Sequence, residues 1–185
     1  MPRSQIVLVA LMAACATQSD HVRLRPAHWA QPVLGGVQNW HRVSDDLYRA
    51  AQPSSADMRT LQNFGVRSIV NLREFHSDRE RLRETRLHLV EHPLATGHVG
   101  YQDLVAALRK LLDAPKPALV HCWHGSDRTG AVCAAWRIAI DGWSPSEALD
   151  EMVAGGFGHS SYYDNLRVLI ARLDADRLRR DAGVE

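Results

Sequence analysis

The chain alternates short, fully apolar runs with longer stretches in which apolar positions recur every three or four residues. Val66 to Leu72 and Ala118-Leu119-Val120 are runs of the first kind, and they predict strands buried on both faces, as in a parallel sheet. Tyr101 to Leu112 is of the second kind, with Leu104, Val105, Leu108, Leu111 and Leu112 on one helical face. Pro115 and Pro117 close that helix. Ser54-Ser55 caps a helix running to Phe64, and Gly65 stops it. Val43 and Leu47-Tyr48 predict a short hairpin, and Leu87 to Val90 a strand ending at Pro93. Asp78 to Arg86 is dense in both charges and reads as the solvated face of a helix. From Thr129 to Ile140 nearly every residue is apolar or small, Arg137 excepted, which predicts a helix buried on most sides. Ser144-Pro145-Ser146-Glu147 opens another helix, and Tyr162, Leu166, Leu169, Ile170 and Leu173 form a last amphipathic stripe. Strands alternating with helices predict an α/β fold: a central, mainly parallel sheet with helices on both faces.

Length and charge add bounds. The 185 residues suffice for one domain with a substantial core, and apolar content of 45% with a net charge of +1 describes an ordinary globular chain. No large basic face is implied, which excludes nucleic acid as the expected partner. The start differs. Met1-Pro2-Arg3-Ser4-Gln5 precedes an apolar run from Ile6 to Ala14 that is too short to span a membrane. We read residues 1–15 as a secretory signal. Leu11-Met12-Ala13-Ala14-Cys15 resembles a bacterial lipoprotein box with Cys15 as the lipidated residue, and ordinary cleavage after Ala16 is the alternative. Residues 16–38 then read as a tether, 39–178 as the folded domain and 179–185 as a tail. The expected location is a bacterial envelope, periplasmic or held to a membrane only by the lipid, with the protein a monomer.

The chemistry concentrates in His121-Cys122-Trp123-His124-Gly125-Ser126-Asp127-Arg128-Thr129-Gly130, between a buried strand and a buried helix. A phosphate dianion needs several donors converging on one point. The backbone amides of a tight loop, here Trp123, His124, Gly125, Ser126, Asp127, Arg128 and Thr129, can form such a nest, and the following helix adds its positive N-terminus. Gly125 permits the curl. Arg128 offers a planar fork to two phosphate oxygens, where lysine would offer a point charge. A free cysteine is only a few per cent thiolate near neutrality, so the loop must favour the charged form of Cys122. A thiolate there can attack phosphorus, form a cysteinyl-phosphate and be released by water, with the loop holding the equatorial oxygens. No cofactor or metal is required. Ten histidines are present, but no HExxH or paired Cys-x-x-Cys spacing. Cys133, inside the apolar helix, reads as core packing.

His-Cys-x-x-Gly-x-x-Arg-Thr-Gly resembles the signature loop of the protein-tyrosine/dual-specificity phosphatases. The likeness extends to bacterial exported members through Leu47-Tyr48-Arg49-Ala50-Ala51-Gln52-Pro53 and through Gly142-Trp143, Glu151-Met152 and Gly155-Gly156-Phe157-Gly158. It implies that Cys122 is the nucleophile, Arg128 the phosphate ligand and the Thr129 hydroxyl a stabiliser of the thiolate. It implies a phosphorylated protein or a small phosphomonoester as substrate. The chain departs from the family in one place. The loop that usually holds a general-acid aspartate reads Ala95-Thr96-Gly97-His98-Val99-Gly100 and has no carboxylate. Asp127, beside Arg128 as in myotubularin-like loops, is the first candidate for the acid, and His98 and Asp103 are alternatives. Without an acid, a second reading is a catalytically weak phospho-binding module on the envelope surface. Intact Cys122, Arg128 and Thr129 argue for turnover.

Overall fold

The computed structural model describes residues 25–184. The expectations for residues 1–15, Cys15 included, and for residues 16–24 lie outside the described residues. Six strands form one sheet: β1 (Gln31–Pro32), β2 (His41–Arg42), β3 (Leu47–Ala50), β4 (Ser68–Arg73), β5 (His88–Leu94) and β6 (Ala118–His121). Their order is β1-β2-β3-β6-β4-β5. The β3–β6, β6–β4 and β4–β5 pairs are parallel, and the β1–β2 and β2–β3 pairs are antiparallel. The mainly parallel α/β sheet is therefore the one expected.

Side chains alternate across it. Leu47, Val70 and Val120 face a core built with α2 (Tyr101–Asp113), α3 (Asp127–Ala139), α4 (Pro145–Ala154), α5 (Asp164–Ala171) and α6 (Ala175–Ala182). Tyr48, Ile69 and Leu119 face the opposite core, where α1 (Ser55–Phe64) packs. This period-two alternation buries β3, β4 and β6 on both faces, which is why their sequences carry so few polar residues. The caps read from sequence hold. Ser54 and Asp57 form a reciprocal capping box on α1, Gly65 ends that helix at φ 111°, and Ser144 and Glu147 cap α4.

Several boundaries differ from expectation. Part of the segment expected as a tether is built into the domain from residue 25 onward. Gln31 and Pro32 pair with β2, Ala30 and Val37 are buried, and the Ala30 amide donates to Glu151 Oε1 at 2.5 Å. Its high polar, Pro and Gly content concealed a short edge strand. The expected tail also begins too early, because α6 runs to Ala182 with Leu178 and Ala182 buried. The charged stretch 78–86 is a series of turns, not a helix, and Asp78 and Leu82 within it are buried. β5 continues through Pro93 to Leu94 because it is an edge strand, where a missing amide costs little.

Candidate active site

The site forms where β6 ends and α3 begins, at the carboxyl end of the parallel strands, where open α/β sheets bind ligands. Residues 122–126 curl between them. Gly125 sits at φ 72°, and a Cβ there would lie 2.4 Å from the Ala50 carbonyl oxygen. Only glycine lets the loop press this closely on the end of β3. Ser126 gives α3 no side-chain cap, unlike the serines that open α1 and α4. The first amides of α3 thus remain free for an anion.

Two side chains, Arg49 and Asn39, and one backbone N–H, that of Gln52, hold the curl. Arg49, on β3 and almost fully buried, donates through Nη2 to the Gly125 carbonyl at 2.7 Å. Its guanidinium lies 3.7 Å from the centre of the Phe157 ring. Burial lowers the Arg49 pKa, while Cys133, Glu151 and Cys122 oppose that fall. Asn39 donates to the carbonyls of both His124 and Phe157, at 2.9 and 3.0 Å. The Gln52 amide donates to the Trp123 carbonyl at 3.0 Å. The Gly155-Gly156-Phe157-Gly158 stretch thus lies against the loop through Phe157 and Arg49. A Cβ at Gly155 would collide with the Phe157 ring at 2.3 Å.

Beneath the loop, His121 Nδ1 lies 3.2 Å from the Cys122 carbonyl oxygen and Nε2 lies 2.7 Å from Asp78 Oδ2. Gln52 Nε2 donates to the other Asp78 oxygen at 2.7 Å. Burial pushes the Asp78 carboxyl up, but the hydrogen bond and charge of His121, with Gln52 and His76, outweigh it and hold it below the ordinary value. Cys122 is buried and its thiol is free. Thr129 is buried, and its hydroxyl has no partner among the described residues. Arg128 is half-buried, with Nη1 3.2 Å from the Leu94 carbonyl oxygen and 3.5 Å from that of Leu72. Such long bonds to neutral acceptors leave the fork free to turn to a dianion. Burial pushes the Cys133 thiol up to about 11, consistent with a packing role.

The three acid candidates separate here. Asp127 Oδ1 accepts from the Ser160 amide at 2.8 Å and lies 2.9 Å from His159 Nδ1, while Oδ2 accepts from Ser126 Oγ at 3.3 Å. Its carboxylate holds the 159–160 segment against α3. Asp103 Oδ2 accepts from the Gly100 amide at 2.8 Å, capping α2. His98 is exposed at the end of a 3-10 turn (Thr96–His98), and its ring makes no hydrogen bond among the described residues. That turn follows Leu94, whose carbonyl meets Arg128. Among the described residues, no group of three or more His, Cys, Asp or Glu side chains is arranged to hold a metal ion.

Comparison with known proteins decides the family. A family model described as the DSP-PTPase phosphatase fused to NAD+ kinase matches residues 33–166. The dual specificity protein phosphatase TpbA of Pseudomonas aeruginosa (strain UCBPP-PA14) is 34% identical over 157 residues, covering 84% of this chain and 71% of the relative. This chain belongs to the dual-specificity phosphatase family. It is a cysteine-dependent phosphatase. The crystal structure of P. aeruginosa TpbA aligns with a TM-score of 0.78 at 32% identity, covering 86% of this chain and 99% of that one. A cysteine-to-serine variant of TpbA in complex with pTyr aligns equally well, TM-score 0.78 at 31% identity over 87% and 99% of the two chains. The catalytic core of the yeast PP-IP phosphatase Siw14 shares the fold, with a TM-score of 0.69 at 22% identity over 82% and 94%.

Sequence reasoning on this phosphatase missed Asn39, Arg73 and Asp78. Asp78 sat in a charge-dense run that gives no signal of burial. Arg73 had one: a charged residue at the carboxyl end of a buried parallel strand stands where ligands bind.

Proposed function

We propose that the enzyme hydrolyses aryl phosphomonoesters, phosphotyrosine in proteins first among them, through a phosphorylated Cys122. The Cys122 thiolate attacks phosphorus as the bond to the leaving oxygen breaks. Water then attacks the cysteinyl-phosphate, releasing inorganic phosphate and restoring the thiolate. The amides of residues 123–129 and the Arg128 fork hold the three equatorial oxygens, whose charge peaks in the transition state. The Thr129 hydroxyl, buried and unpartnered, is available to the sulfur as it leaves phosphorus.

The observation that carries the aryl preference is the commitment of both carboxylate candidates for the acid, Asp127 and Asp103, to structural bonds. Proton donation by a positioned group is commonly worth about 10²–10⁴ in rate. A site with weak proton donation favours leaving groups that need it least, and a phenol needs it less than an alkyl alcohol. We assign the remaining donor role to His98, on the turn beside Arg128. The half-exposed Trp123 indole supports an aromatic substrate. The pTyr bound in the TpbA relative supports the same class.

The test is a panel of nitrophenyl phosphate, phosphotyrosyl, phosphoseryl and phosphothreonyl peptides, run with wild type and Cys122→Ser. Aryl esters turned over at least about tenfold faster, with all turnover lost in Cys122→Ser, is the expected result. Equal rates on seryl peptides would refute the aryl assignment. On the N-terminal pattern alone, we further propose export with Cys15 lipidated and a monomeric enzyme in the envelope; fractionation of wild type and Cys15→Ala tests it.

A further inference from the structure

Arg73 stands at the carboxyl end of β4, one strand from the end of β6 that delivers Cys122. The register of β4 against β5 shifts between Asn71 and Arg73, and such irregularities re-aim side chains. The preceding residue, Leu72, presents its carbonyl to Arg128. The Arg73 guanidinium is fixed twice by the phosphate loop's own supports. Its Nη1 donates to Gln52 Oε1 at 2.9 Å, and its carbon lies 4.1 Å from the centre of the Trp123 ring. Gln52 also donates its amide to the Trp123 carbonyl. The other edge of the fork, Nε and Nη2, has no protein acceptor among the described residues.

The local charge is unbalanced. Burial lowers the Arg73 pKa; Asp78 opposes this, and Arg81 and Arg128 push the same way as burial. Asp78, the carboxylate that acts on Arg73, is fully buried and already engaged by Gln52 and His121, with His76 at 3.4 Å and Arg81 at 3.6 Å, and Glu91 is a second carboxylate in the wall of the adjoining cavity. A substrate phosphate would satisfy Arg128 and leave Arg73 as an oriented cation beside it. An open cavity of about 380 Å³ adjoins it, lined by Arg73, Phe75, His76, Ser77, Glu91 and Pro93. Phe75 is almost wholly exposed and held at φ 55°, which is costly for a non-glycine residue. Trp123 and Phe75 thus offer aromatic surface on the Arg73 side of the loop. Asp127, the loop's own carboxylate, is turned to residues 159–160 and engaged there.

We propose that Arg73 forms a second anion position beside the phosphate loop, so that the enzyme selects phosphotyrosyl peptides with an acidic residue next to the phosphotyrosine. This rests on the aryl phosphatase reading above and names its substrate more closely. The guanidinium, pre-oriented by Gln52 and Trp123, gives a carboxylate a forked partner at little ordering cost.

The test measures kcat/KM on matched phosphotyrosyl peptides with Glu or Gln on either side, and on nitrophenyl phosphate, for wild type, Arg73→Gln and Arg73→Lys. Wild type should favour the Glu peptide by about tenfold at low salt, and added salt should shrink the ratio. The ratio should fall to about one in Arg73→Gln and lie between in Arg73→Lys, with circular dichroism confirming folded variants. Equal rates on the two peptides with wild type overturn the proposal, as does a ratio that survives in Arg73→Gln. Nitrophenyl phosphate separates the two levels of failure. If wild type hydrolyses it without an acidic preference, only the Arg73 position falls; if wild type does not hydrolyse it, the aryl phosphatase reading falls as well. A phosphotyrosyl peptide with an adjacent phosphoserine in place of Glu is included. Its outpacing the Glu peptide while the Glu and Gln peptides remain equal would overturn the carboxylate assignment in favour of a second phosphate.

Discussion

Replacing Gly125 by alanine tests whether the curl of the loop makes the site. The added Cβ would lie 2.4 Å from the Ala50 oxygen, 2.5 Å from the Ala50 carbonyl carbon and 2.6 Å from the Ala51 nitrogen. All three are backbone atoms at the end of β3, so no side chain can swing aside. Ordinary contact for a carbon is about 3.5 Å, so the loop or the strand must retreat by about 1 Å. Holding alanine at φ 72° costs about 1–2 kcal/mol, and overpacking adds about 1–3 kcal/mol. The chain relieves this by lifting the loop, which stretches the Arg49–Gly125 bond and turns the amides off the phosphate. A 1 Å misplacement of reacting groups can cost about 10²-fold in rate. The assay is kcat/KM on nitrophenyl phosphate, whose leaving group needs no proton, so the loop alone is read. The expected loss is about 10²-fold or more, with weaker phosphate inhibition and a urea midpoint lowered but still cooperative. Activity within about threefold of wild type would refute the claim that this contact fixes the amides.

Three further outcomes follow from the same geometry. Arg49→Met keeps the apolar stem under Phe157 but removes the bond to Gly125; a hydrogen bond from a charged group is worth about 1.5–3 kcal/mol, so kcat/KM should fall by about 10- to 100-fold. The thermal midpoint should move little, because a buried guanidinium with an unpartnered Nε is costly to keep. His98→Gln should slow alkyl phosphates far more than nitrophenyl phosphate, whereas Asp127→Asn, by loosening the 159–160 segment, should slow both alike; the reverse pattern would return the acid to Asp127. The fold keeps His41 neutral to about pH 4, chiefly by burial, with Arg25 and Arg49 adding to this and Asn39 and Glu151 opposing it. The unfolded chain protonates His41 near 6.5, so it binds more protons between those values and stability falls as pH drops through that window. At about 1.4 kcal/mol per pH unit the loss is at most about 3 kcal/mol, and urea unfolding of His41→Gln should show a flatter acid limb.

The parallel sheet and the phosphate loop were legible because each is enforced locally. A strand buried on both faces admits few polar residues, and a loop curled on an anion demands glycine, arginine and a free helix start within ten residues. What was not legible depends on contacts between distant segments. The polar stretch before Asn39 shows nothing of the buried Ala30, since its amide is satisfied by Glu151 at a separation of 121 residues. Asp78 opens a run in which seven of the next eight residues are charged or polar, and only the approach of His121 and Gln52 distinguishes it. Arg137 stood out as a charge inside an apolar helix; Asp141 is its local partner four residues on, but Glu151 needed the packing of α4 to be named.

Asp127 and Arg128 show how neighbours in sequence take different partners at this loop. An acid next to the phosphate-binding arginine suggests a shared task, yet successive residues of a helix's first turn point in different directions, about 100° apart. With Arg128 directed to the carbonyls of Leu72 and Leu94, Asp127 faces Ser160 and His159 instead. Asp127 anchors the 159–160 segment, and the residue after it, Arg128, reaches toward the ends of β4 and β5. The positive excess near the sulfur is therefore not cancelled from within the loop. It is set by Arg49, Arg128 at the helix start and Arg73 at the end of β4, with Glu151 acting as counter-charge on Arg49 and Asp78, beside His121, on Arg73. On the mechanism proposed above, a dianion entering such a field meets cations that the fold has already fixed in place, so little reorganisation is left for the moment of phosphoryl transfer.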